Sequence, residues 1–458
     1  MAKILLCFSS HIYVDGKFRL VSYYEGLINE LKKNNNRVMV CNSAEFLKKS
    51  WNSDNQESGM IRREQLKKDI ESFSPDLVIS FNNSKLSFIE DICNCPIAIW
   101  EADTFSFYND KEKIKKNPNR YLYFCLSQNV AEQVKAVGAK DENVFIIKSG
   151  TAIVKENVDV TANISFIGSN FAGPKNLGKL LKVHNTPEVK NAIKHLADNF
   201  YDDPKDYLKE RGLSYILDYM VPGDFGNINS CQNRINVLNV MNELGLVLYG
   251  NASWYKTVDF SPQLALSFNP KPVYSLKHNQ DVYNASHICL NVSHIQAVDG
   301  FPWRVMDVMA SNGCLLTNYN SGIANFTKGY VDLPMYKSAG EAYDLARRLL
   351  RDESYRKDLV EASQACIEDK GRWHHRFKEI EEATGIKLTS ESTGSGEAIY
   401  IDRSDYITDI YKHYVKLLLL AAKITPKQTH SMLYNIAIAL GFKIDYHMVK
   451  SVMEHDHV

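Results

Sequence analysis

The chain has 458 residues, 45% of them hydrophobic, which is enough for two or three domains at roughly 150 residues each. Its 54 basic and 54 acidic residues balance, so there is no basic excess of the kind that marks a nucleic-acid protein. The first apolar stretch, residues 1–8, is too short for a signal peptide, and the longest late one, residues 417–422, falls far below the ~20 residues that span a bilayer.

In chain order, the first third alternates. KILLCFSS (3–10) is a short apolar run of the parallel-strand kind, followed by a helical pattern over 23–33 and a second strand at RVMVCNS (37–43). A charged helix over 62–72 leads into PDLVISFNN (75–83), a short helix, and then CPIAIWEAD (95–103). RYLYFCLS (120–127), a helix over 129–138 and NVFIIKSG (143–150) complete the series. Strands alternating with helices indicate βαβ units and a parallel sheet. Polar residues follow these strands, as in FSSHIYVDG, SFNNS and WEADTF, at the ends where open parallel sheets bind ligands.

The alternation then restarts at ANISFIGSN (162–170), followed by a mainly helical stretch to about residue 240. LGLVLYGN (244–251), PKPVYS (270–275), HICLNVS (287–293) and GCLLTN (313–318) supply further strands, and residues 339–383 read as helical. Two doubly wound units in tandem, joined near 150–160, would enclose a cleft. LTSESTGSGEA (388–398) has a linker's composition, and residues 399–458 read as two amphipathic helices. The expected domains are therefore 1–155, 156–387 with a helical insertion over about 171–233, the linker, and a helical extension. The nine cysteines are scattered without a CxxC pair and read as reduced, buried thiols, which points to the cytoplasm.

The stretch VDGFPWRVMDVMASNGCLLTN (298–318) carries the functional argument. Pro302 suits the first turn of a helix, and Gly313 ends that helix before the next strand. Arg304 then falls in the first turn, where the helix dipole disfavours a cation. Free helix N–H groups with a guanidinium suit a bound phosphate. Asp307, one turn deeper, and Asp299, in the preceding loop, could accept hydrogen bonds from sugar hydroxyls. The plain alternative is a solvated pair between Arg304 and Asp307, three residues apart on one helix face.

This region resembles the donor-binding half of GT-B glycosyltransferases, specifically the group-1 glycosyl transferase domain of CgeB-like proteins. Asp299-Gly-Phe-Pro followed by Asp307-Val-Met-Ala-Ser-Asn-Gly313 is similar to that group's E-x7-E pattern, with aspartates for both glutamates. The resemblance implies that Asp307 holds the nucleotide ribose and that Arg304 meets the phosphates. It also implies that Asp299, Gly300 and the backbone beside Phe301 face the transferred sugar. NISFIGSN, VLYGN and YNASHICLNVS resemble the family's other donor-side segments, which places Gly168, Ser169, Tyr249, Gly250 and Asn291 near the donor. Lys277 is a further candidate for the phosphate. In the first domain IAIWEAD looks like the family's W-x-x-D strand end, which puts Glu101 and Asp103 at the cleft.

The implied fold is α/β GT-B, two Rossmann-like domains facing a cleft, and the implied activity is sugar transfer from a nucleotide sugar to a glycan or glycolipid hydroxyl. Such a reaction needs no cofactor and no metal where an arginine and helix-end dipoles stabilise the leaving phosphate. Base candidates are His11 and Asp15 in the first loop, Glu101 and Asp103, with Asp299 on the donor side; His278 and His294 rank lower. The D-x7-D pattern leans toward retention of the anomeric configuration. Bacterial surface polysaccharide is the implied destination, with a peripheral membrane or protein partner for the last helices. A nucleotide-sugar 2-epimerase of the same architecture and a non-catalytic binding module are the alternatives.

Overall fold

The computed structural model describes residues 1–9, 12–14, 17–46, 61–101, 111–171, 177–199, 202–392 and 394–406, with isolated positions beyond, up to 432. The chain forms two compact α/β units, Met1–Lys148 with His374–Val458, and Ser149–Trp373. The seam therefore lies at 148/149, a few residues before the expected 155.

The first unit is built from β1 (Lys3–Phe8), a small antiparallel hairpin of β2 (Tyr13–Val14) and β3 (Lys17–Phe18), β4 (Arg37–Asn42), β5 (Leu77–Phe81), β6 (Ile97–Glu101), β7 (Tyr121–Cys125) and β8 (Val144–Ile146). The second contains β9 (Ala162–Ile167), β10 (Leu246–Tyr249), β11 (Ser286–Asn291), β12 (Cys314–Asn318) and β13 (Met335–Tyr336). The central strands are near-continuous apolar runs because helices cover both faces of each sheet. Thus all five residues of β5 and all five of β6 are buried. The second sheet runs β10-β9-β11-β12-β13 and is parallel throughout.

A last strand, β14 (Ala398–Tyr400), corrects the reading of 388–398 as a linker. It adds to the first sheet beside β4, giving the parallel order β14-β4-β1-β5-β6-β7-β8. The serine- and glycine-rich run before it is bound rather than free. Asn36, buried, donates to Leu388 O at 2.7 Å, Asn35 donates to Ser392 O, and Gly394 and Gly396 donate to Lys33 O and Lys32 O. Ile401 and Tyr406 join the first unit's core, so 399–406 is not the start of a separate helical extension. Most of the expected pair of late helices lies outside the described residues.

Two further expectations change. PKPVYS forms no strand, because Pro270 and Pro272 remove two ladder donors. The helical insertion is real but does not end at 233. The helices Leu177–Val183, Pro187–Asp198 and Pro204–Glu210 pack with the first turns of one long helix, Pro222–Met241, around a small core of their own that includes Leu180, Ile193, Leu208 and Phe225. Arg234 is the thirteenth residue of that helix.

Candidate functional site

The strand order of the second sheet reverses between β9 and β11, and open α/β sheets bind ligands beyond the carboxyl ends of strands at such a point. The loops found there are Gly168-Ser169 after β9, Gly250 after β10, and Val292-Ser293 after β11.

Arg234 ties two of these loops together. It is 4% exposed; Nη1 donates to Ser169 O at 2.5 Å, while Nε and Nη2 donate to Val292 O at 3.2 and 3.0 Å. Its guanidinium lies 4.0 Å from the Phe171 ring and 5.4 Å from Phe166. Arg304 sits 5.3 Å from the same Phe166 ring and donates from Nη1 to Asn291 Oδ1 at 2.9 Å. Among the described residues neither arginine forms an ion pair. Burial, and then the Arg304 charge, push the Arg234 guanidinium well down. Two like charges sharing one aromatic ring without a counter-ion are costly, and a bound anion offsets that cost.

The solvated-pair alternative for Arg304 and Asp307 does not hold. Asp307 is buried and accepts from Thr151 Oγ1 at 2.6 Å, whereas Arg304 turns to Asn291. Burial raises the Asp307 carboxyl to about 7, against the opposing pull of the Thr151 hydrogen bond, Arg304 and Arg372. The helix that begins at Arg304 has only six residues, Arg304–Met309, so its dipole is minor and the arginines supply most of the positive potential.

Two glycines allow close approaches here, Gly168 to Arg304 and Gly250 to the Gly168 carbonyl. A Cβ on Gly168 would lie 3.0 Å from the Phe166 ring and 3.3 Å from Arg304 Nη2. Gly250 has φ +153, and a Cβ there would meet Gly168 O at 2.2 Å. Trp254 Nε1 donates to Gly168 O at 2.9 Å and Gly168 N donates to Tyr249 O, which fixes the loop from below.

The Asp299 loop is held by one side chain. Asn320 Nδ2 donates to Ala297 O at 2.9 Å, Val298 O at 3.3 Å and Gly300 O at 2.9 Å, while its Oδ1 caps the next helix through Ile323 N. Gly322 allows the Asp299 carbonyl to pack against it, since a Cβ there would fall 1.8 Å from that oxygen.

Other expected residues are placed differently. Asn291 is fully buried, donates to Ser293 Oγ and Thr317 Oγ1, and orients Arg304 by accepting from its Nη1. The Phe301 ring is in the core against Phe326, 5.8 Å away, which leaves only its backbone for the site. Lys277 is not brought to the arginines: it is solvent-exposed and pairs with Asp281 and, at 3.4 Å, with Glu156. Glu101 is buried at the end of β6 in the first unit, opposite Cys125. His11, Asp15 and Asp103 lie outside the described residues. Among the described residues no three His, Cys, Asp or Glu side chains are grouped so as to hold a metal ion.

Sequence reasoning missed Arg234 and ranked His294 low among the base candidates. Arg234 occupies the buried stripe 230, 234, 237, 238, 241 of its helix, and a charge at an apolar-period position was the available signal. His294 packs edge-on against Phe171 and accepts from Gln296 N at Nδ1, which leaves the proton on Nε2 toward Asn227 Oδ1. Burial, then Arg234, lower it to about 4, so at neutral pH it is an uncharged donor.

Residues 234–382 match the sequence model of the family described as glycosyl transferase-like. The matched segment is about a third of the chain. It begins at Arg234 and contains Asn291, Asp299, Arg304 and Asp307. No curated protein matches the chain in sequence. Among solved structures, HepE of Anabaena in complex with UDP-glucose is similar at 12% identity and TM-score 0.44, covering 84% of this chain and all of that one. A glycosyltransferase of Rickettsia africae is similar at 11% and 0.44, covering 84% and 98%. Sucrose-phosphate synthase of Thermosynechococcus elongatus is similar at 10% and 0.49, covering 83% and 98%. At these values nothing about substrate passes to this chain.

Proposed function

We propose that the chain is a glycosyltransferase whose glycosyl transferase-like domain binds a nucleotide sugar with its phosphates between Arg304 and Arg234. The observation that carries this reading is the pair of guanidiniums on Phe166, neither in an ion pair among the described residues, at the reversal point of the sheet. In transfer, the bond from the anomeric carbon to the phosphate oxygen breaks and its electrons leave with the phosphate. The new bond forms to an acceptor hydroxyl, whose proton passes to a base. Fixed cations aimed at the leaving oxygen lower that barrier without reorganising during the reaction.

On this reading Asp307, held through one oxygen by Thr151, accepts a ribose hydroxyl with the other, and Asp299 serves the sugar. Glu101 is the described first-unit candidate for the base, and His11, Asp15 and Asp103 are the others. An acceptor on a bacterial surface glycan or glycolipid, and retention of configuration, rest on the family resemblance alone.

The test is a thermal-shift series with UDP, GDP, ADP, CMP and TDP. A ligand that binds only the native state stabilises it by about 2.7 kcal/mol at a hundred times its Kd. One nucleotide is expected to raise the midpoint, and Arg304→Ala is expected to abolish that rise. An unchanged shift in the variant removes Arg304 from the phosphate site.

A further inference from the structure

The long helix Pro222–Met241 presents two polar faces. Arg234, Ser230 and Asn227 serve the donor loops: Ser230 Oγ accepts from Ile295 N at 3.1 Å, and Asn227 meets His294. A different face lines an open groove of about 540 Å³ against the helices Leu177–Val183 and Pro187–Asp198. That size is within the roughly 300–1,000 Å³ of small-ligand sites.

The groove's chemistry is specific. One wall is a row of carboxamides, Asn229, Gln232, Asn233 and Asn236, spaced to follow one side of a helix. The opposite wall carries Leu181, Ile193 and Ala197, with Lys190, Lys194 and Asp198 beside them. Asparagine is a poor helix former because its amide competes for the backbone, and three in eight helical residues weaken the helix by roughly half a kcal/mol each relative to alanine. A merely solvated face would carry Lys, Glu or Gln more favourably. The Asn233 side chain makes no hydrogen bond to any described residue, the Asn229 amide reaches only Asp198, at 3.3 Å, and Gln232 donates to Asn236 Oδ1 at 2.8 Å. Carboxamides both donate and accept, which matches vicinal hydroxyls, and aliphatic side chains match the C–H faces of sugar rings.

We propose that this groove binds a segment of an oligosaccharide chain, the extended part of the acceptor. The inference rests on the glycosyltransferase reading. The helix Pro222–Met241 carries both surfaces, so an occupied groove would hold the acceptor on the same rigid element that positions the donor loops.

The experiment titrates the full chain with maltotriose, chitotriose and trigalacturonate by isothermal calorimetry, each up to about 10 mM. At least one is expected to bind, with affinity falling about tenfold or more in Asn233→Leu and recovering in Asn233→Gln. A bulky Asn233→Trp is expected to abolish binding. Midpoint and far-UV circular dichroism confirm that each variant folds, and Asn229→Leu serves as an independent probe. Binding of none of the three probes, or binding indifferent to the Asn229 and Asn233 variants, overturns the groove. The nucleotide shift separates the two proposals. If trisaccharide binding behaves as expected but no nucleotide shifts the midpoint, the glycosyltransferase reading and the acceptor role fall while carbohydrate binding in the groove stands; the converse result removes only the groove.

Discussion

Asp307 is a carboxyl that burial holds near 7 in the native chain, compared with about 3.9 for an ordinary aspartate. The native state therefore keeps a proton that the unfolded chain releases, and stability falls as pH rises from about 4 to about 7. Asp307→Asn removes this dependence while an amide oxygen remains to accept from Thr151. The variant should match the parent near pH 4 and exceed it above pH 7, with the gap growing by up to about 1.4 kcal/mol per pH unit in between. Urea unfolding at pH 5, 6, 7 and 8 measures it, and a gap that does not change with pH would show that the carboxyl is ionised in the fold. A second residue-scale prediction concerns Gly168. A methyl group there crowds Arg304 Nη2, so Gly168→Ala should weaken nucleotide binding about tenfold, or about 1.4 kcal/mol, with little change in midpoint without nucleotide. A variant that bound nucleotide as the parent does would show that the Arg304 guanidinium does not need that space.

At the scale of elements, the strands were readable because a parallel strand buried on two faces leaves an apolar run that little else produces. Arg304 was readable because a cation in the first turn of a helix is out of place. The return of the chain to the first sheet was not readable. The run 388–396 has the composition of a flexible spacer, and nothing in those residues states that Asn34 accepts from Ser390 N, that Asn35 donates to Ser392 O or that Asn36 donates to Leu388 O. Arg234 was hidden for a related reason: its partners are carbonyls at 169 and 292, so its role is written in tertiary contacts rather than in local spacing. Asn36 tests the element directly. Its amide accepts from Ala2 N and donates to Leu31 O and Leu388 O, joining the end of the first helix, the first strand and the returning segment. Asn36→Ala leaves two buried backbone groups, Ala2 N and Leu388 O, without that partner, while Leu31 O keeps the N–H of residue 36; it should cost about 2–4 kcal/mol, read as a fall in denaturation midpoint. A loss below about 1 kcal/mol would show that water replaces the amide there.

For the whole molecule, the returning segment decides whether the first unit is complete without it. Had 388–458 been a linker and an appendage, a chain ending at residue 387 would fold as the full chain does. The structure argues otherwise. β14 pairs residue by residue with β4, Ala398 with Val38 and Tyr400 with Val40, and Ile401 and Tyr406 fill the core beside Phe46. Removing them uncovers an apolar edge strand, Val38–Val40, and an unpaired edge is a template for association. The truncated chain should therefore be largely insoluble, or unfold at least about 10 °C below the full chain, because one or two kcal/mol is a large share of a domain's stability. The two units should also respond separately. The nucleotide is expected at the second unit, so in Asn36→Ala the second unit's transition should still rise with nucleotide while the first unit's transition falls. Differential scanning calorimetry with and without nucleotide separates the two transitions. A single transition that moves as one in both experiments would mean that the units unfold as a single cooperative body.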